Sequence, residues 1–150
     1  MSSELLITEE IRATLARDQR IPHPKEVAVS EHHGAVVLRG SVGSFHQRRA
    51  AVKIARSVPG VVTVEDELWV DPRDSWRDNE IRGAALQTLM SNPEVPADRI
   101  DVTVANGWLT LKGEVKHQSE NDAAFASVRG LPGIGGITNE IKVVTAGIDG

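Results

Sequence analysis

The chain of 150 residues repeats itself. Shifted by 73 positions, VAVSEHHGAVVLRGSV from Val27 falls on IDVTVANGWLTLKGEV from Ile100, and the register holds without a gap from Val27–Val70 onto Ile100–Val143. Twelve positions in that span are identical, among them Gly34/Gly107, Leu38/Leu111, Gly40/Gly113, Val42/Val115, Pro59/Pro132 and Gly60/Gly133. Upstream, a shift of 74 pairs Ile7 with Ile81, Leu15 with Leu89 and Pro22 with Pro96, and one gap near Lys25 reconciles the two registers. Such self-similarity marks a tandem duplication, one structural unit used twice.

Each unit reads as helix, strand, turn, strand, helix, strand. Ile7, Ile11 and Leu15 recur at helical spacing, Thr8 offers a cap, and Pro22 and Pro24 end the run. Val27 and Val29 alternate into a strand, and Val36, Leu38, Gly40 and Val42 into another. The turns between the strands are His33-Gly34 and, in unit two, Asn106-Gly107, a strong hairpin signal. A second helix from about Phe45 to Val58 carries Ala51, Ile54 and Ala55 on one side and Arg48, Arg49, Lys53 and Arg56 on the other. Because a helix separates the second and third strands, a crossover is allowed. The expected fold is therefore α+β: two tandem αββαβ units, each a small mixed three-stranded sheet with helices packed on one face. The units are expected at 1–72 and 79–150, joined by a polar linker at 73–78. Gly135-Gly136 replaces Val62-Thr63, which predicts that the last strand of unit two begins later or bulges.

Composition bears on function. With 17 basic and 21 acidic residues the net charge is −4, which weighs against disorder and against a general polyanion binder. Without cysteine there is no disulfide, thiolate nucleophile or thiolate zinc site. The start, MSSELLITEE, lacks the basic segment and apolar run of a secretory signal, and no stretch has the ~20 apolar residues of a membrane span. The expected location is cytoplasmic, and periplasmic only if a leader has been removed.

The spacing G-x-V-x-L-x-G-x-V at Gly34–Val42, the Ala-rich helix and P-G-V…V-x-x-x-L at Pro59–Leu68 resemble the BON domain, a family named for bacterial osmotic-stress and nodulation proteins. Gly107–Val115 and Pro132–Ile141 carry the second copy. The resemblance implies a non-enzymatic module, often in tandem in envelope or stress-related bacterial proteins, that binds phospholipid or other envelope components. Envelope members carry a leader or lipid-attachment cysteine that this sequence lacks.

No nucleophile elbow, H-E-x-x-H pair or Walker phosphate loop is present, so no catalytic residue, cofactor or metal is expected. The five histidines read as solvated residues, and Glu65, Asp66, Glu67 and Asp71 as a solvated acidic edge. GIGG at Gly133–Gly136 matches the phosphate clamp of KH domains, but it leads from a helix into a strand and reads as a turn. Arg48, Arg49, Lys53 and Arg56 form the candidate contact for phospholipid headgroups, and the alternative is KH-like nucleic-acid binding through the same helix. Such a basic face also serves simply to keep a small domain soluble. Trp69 and Trp76, with Arg73 and Arg77, suit a membrane interface or the packing of the two units, the second being favoured. A partner protein or a second copy of the chain remains a further expected binding partner.

Overall fold

Each half is organised by a two-residue hairpin whose central residues both have positive φ: 51° and 85° at His33 and Gly34, 51° and 80° at Asn106 and Gly107. That geometry matches the right-handed twist of the flanking strands. A computed structural model of the chain describes residues 3–71 and 76–144. Unit one runs α1 (Ser3–Arg17), a 3₁₀ turn (Pro24–Glu26), β1 (Val27–His32), β2 (Ala35–Val42), α2 (Phe45–Ser57) and β3 (Thr63–Val70). Unit two repeats it as α3 (Trp76–Ser91), a 3₁₀ turn (Ala97–Arg99), β4 (Ile100–Ala105), β5 (Trp108–Val115), α4 (Gln118–Val128) and β6 (Gly136–Val143). The sheets are ordered β1-β2-β3 and β4-β5-β6, antiparallel in the first pairing and parallel in the second. The architecture is the α+β repeat that the sequence predicts.

Alternation sorts each sheet into two faces. The inner face of the first carries Val27, Val29, Val36, Leu38, Val42 and Leu68, buried against Ile11 and Leu15 of α1 and Ala51 and Ile54 of α2. Ile100, Val102, Leu109, Leu111, Val115 and Ile141 do the same in the second sheet beneath Leu89 and Ala124. Gly40 and Gly113 take positive φ because the preceding 3₁₀ turn crosses there: a Cβ would collide with the carbonyl oxygens of Glu26 and Arg99.

Three details depart from expectation. Thr8 lies inside α1, which begins earlier. α3 begins at Trp76, inside the stretch expected to be linker. β6 begins at Gly136, the position equivalent to Thr63, and pairs without interruption from Trp108↔Gly136 to Val115↔Val143. The glycine there makes room for the Trp108 ring, which a Cβ on Gly136 would strike, while the indole Nε1 donates to Thr138 at 2.8 Å.

α3 serves both units. It packs on its own sheet through Ala85 and Leu89, and it also lies against the 3₁₀ turn, β1 and β2 of unit one, where Leu86 shares a buried cluster with Ala28. Gly83 permits the approach, since a Cβ there would collide with the backbone of Lys25 and Glu26. The Gln87 amide then completes the β1 edge, accepting from Val29 N and donating to Val29 O, both at 2.9 Å. From the other side, Arg39 of β2 reaches into unit two, donating to Ala97 O at 3.2 Å and lying 3.6 Å from Asp101.

Candidate anionic-surface site

α2 is started by Ser44, whose hydroxyl accepts from Gln47 N at 3.1 Å. Its buried stripe of Ala50, Ala51, Ile54 and Ala55 turns the basic residues outward. They are not equivalent. Arg48 Nε donates to Asp66 of β3 at 2.8 Å, and Asp66 in turn accepts from Leu68 N at 3.0 Å. In unit two the same two positions hold Asn121 and Asn139, which join by an amide hydrogen bond of 2.8 Å, and Asn139 accepts from Ile141 N. An ion pair and an amide pair thus do the same job, tying helix to strand. Arg48 is committed to that tie.

Arg49, Lys53 and Arg56 are exposed and make no ion pair among the described residues. They line a shallow groove together with Phe45, His46 and Arg20. Sequence reasoning missed Arg20, which follows α1 and reaches the groove only through the fold. Asp18 holds its guanidinium with an Nε bond of 3.0 Å, and this hydrogen bonding lowers the Asp18 carboxyl below its usual range. Phe45, 67% exposed at the start of α2, stands beside these cations. Unit two has Gln118, Asp122 and Ala126 where unit one has Phe45, Arg49 and Lys53, so the arrangement belongs to one unit.

The tryptophan group is divided. Trp69 is 57% exposed on the outer face of β3, with the Arg82 guanidinium of α3 4.1 Å from its ring centre. Arg82 is a residue that sequence reasoning did not single out; it is buried and also donates to Val102 O at 2.7 Å. Arg77 is exposed on α3. Arg73 lies outside the described residues, as does the side chain of Trp76.

The histidines are dispersed. His32 and His33 meet edge to face at 4.2 Å, His23 Nδ1 lies 3.6 Å from Glu80, and His46 borders the groove. In the acidic run, Asp66 takes Arg48, Glu67 lies 3.4 Å from Arg39, and Asp71 accepts from Asn79 at 3.0 Å. Among the described residues no three such side chains gather as a metal site would require. GIGG runs through the end of the connection from α4 and into β6, whose first residue is Gly136.

The fold is thus a pair of αββαβ units with a basic helix on the first. The BON domain family matches residues 3–72 and again residues 77–145, and the chain belongs to that family. Osmotically-inducible protein Y of Escherichia coli is 29% identical over 145 residues, covering 91% of this chain and 70% of its own length. The outer membrane lipoprotein DolP of Haemophilus influenzae is 26% identical over 142 residues, covering 89% and 69%. Among solved structures, the C-terminal domain of CdsD, a structural protein of the type III secretion system of Chlamydia trachomatis, aligns at 12% identity with a TM-score of 0.38. It covers 93% of this chain, which spans 66% of that one. No helix among the described residues is long and apolar enough to cross a membrane. The expected cytoplasmic location finds no support in these relatives, one of which is described as an outer membrane lipoprotein.

Proposed function

We propose that the protein is a non-enzymatic docking module whose α2 face binds an anionic phospholipid surface in an envelope or stress-related setting. One observation carries this reading: Arg49, Lys53 and Arg56 stand exposed and outside any ion pair among the described residues, beside a 67% exposed Phe45. Each basic residue near an anionic membrane contributes about 1 kcal/mol. An aromatic ring that enters the interface adds apolar burial to that attraction. The net charge of −4 makes the attraction local, so it holds only when α2 faces the lipid. Family membership and the names of the relatives support the setting.

The test is co-sedimentation with phosphatidylglycerol-containing vesicles against pure phosphatidylcholine vesicles at low salt. Loss of three cations corresponds to a roughly hundredfold weakening on the anionic vesicles, and Arg49→Glu/Lys53→Glu/Arg56→Glu, which reverses those charges, weakens binding by at least that much. Phe45→Ser weakens binding without changing its salt dependence. Equal sedimentation on both vesicles, or none lost in the triple variant, removes the proposal. Salt-sensitive RNA retention without vesicle binding moves the same face to a nucleic acid.

A further inference from the structure

A carboxyl group is buried where the two units meet. Glu26 closes the 3₁₀ turn before β1 and is 5% exposed. Its Oε1 accepts the Ser41 hydroxyl of β2 at 3.2 Å. Its backbone, with that of Lys25, lies directly under Gly83 of α3. Asn79, one turn earlier on α3, also hydrogen-bonds the carboxylate. The charges acting on it are His23 on its own segment and Glu80 on α3, which face each other at 3.6 Å. Lys25 is exposed, and α1, the remaining element against this turn, turns apolar Ile11 and Leu15 inward. At the equivalent place in unit two, Arg99 is exposed to solvent.

We propose that the seat of α3 on the first unit is a proton-operated latch, closed when Glu26 carries its proton and loosened when Glu26 ionises. A carboxylate without a buried cation is costly to keep dry, and the way to hydrate this one is to part α3 from the turn beneath Gly83. Burial pushes the Glu26 carboxyl from its ordinary 4.5 up to about 7; donation from Ser41 and the His23 charge oppose that rise, and Glu80 adds to it. With the folded value above the unfolded one, the stabilisation is complete below about 4.5 and disappears as pH rises through about 7. The latch therefore changes state across neutral pH. It is independent of what α2 binds.

The experiment is NMR on the full chain, following the Glu26 carboxyl carbon and the protection factor of the Val29 amide, which Gln87 holds across the joint. The carboxyl is expected to titrate near 7, and Val29 protection to fall between pH 5.5 and 8.5 by roughly tenfold to 30-fold, the upper figure being the part of the displacement from 4.5 to about 7 that lies above pH 5.5. Glu26→Gln, which keeps an acceptor for Ser41 and cannot ionise, is expected to hold Val29 protection level. Ser41→Ala removes the donor and keeps the carboxyl, so its transition moves to higher pH. The proposal is overturned if Glu26 titrates between 4 and 5, if Val29 is equally protected at both pH values, or if the step survives Glu26→Gln. Should the Gln variant not fold, an unmoved transition in Ser41→Ala overturns it as well.

Discussion

The outer faces of the two sheets begin from equivalent positions and end differently. On the first, Ala28 and Ser41 are buried beneath α3, and Trp69 stacks on Arg82. On the second, the equivalent residues are Asp101, Glu114 and Lys142, all exposed. The inner faces hardly differ, since the identical Val29/Val102, Leu38/Leu111 and Val42/Val115 lie there, all buried. Inner positions therefore specify the unit, and outer positions specify whether another element covers it. The same division separates the two first helices. α1 places Glu9 and Arg12, both exposed, where α3 has Gly83 and the fully buried Leu86.

This contrast can be broken experimentally, beginning with the deepest contact. Leu86→Ala removes a fully buried side chain and is expected to cost about 2–5 kcal/mol in urea unfolding. Arg12→Ala, at the equivalent exposed site, is expected to stay within about 0.5 kcal/mol. Gly83→Ala should cost about 1–3 kcal/mol by collision with the 3₁₀ turn, although alanine is ordinarily the better helix former. A stability gain from that substitution would show that α3 does not rest on unit one. Gln87→Ala strips both partners from Val29 and is expected to cost about 1–3 kcal/mol, with faster exchange at the Val29 amide. Gly136→Thr, which copies unit one, displaces the Trp108 ring; about 1 kcal/mol and a shift in tryptophan emission are expected.

Much of this was legible in the sequence because the two halves corroborate each other. A hairpin suggested by His33-Gly34 becomes firm when Asn106-Gly107 stands 73 positions on, and both turns adopt the expected positive φ. The double duty of α3 was not legible by periodicity, which seeks one apolar stripe per helix and takes Gly83 for a small residue in an Ala-rich run. The signal lay in the differences between the copies: unit two's first helix lacks charge where unit one has Glu9 and Arg12. The basic face of α2 was legible as a pattern, but not the tie of Arg48 to Asp66 across 18 residues or the arrival of Arg20. Side-chain partners distant in sequence leave no local trace.

The dual membership of α3 sets an order of events during synthesis. The ribosome delivers every strand of the first unit before it makes the helix that seals the Val29 edge and roofs Ala28. Until Gln87 clears the exit tunnel, the nascent chain presents an unsatisfied strand margin, the kind of surface on which unfinished proteins pair with their neighbours. A product cut short in that interval would have a complete core and an uncovered flank, because the residues that cover it belong to the second copy.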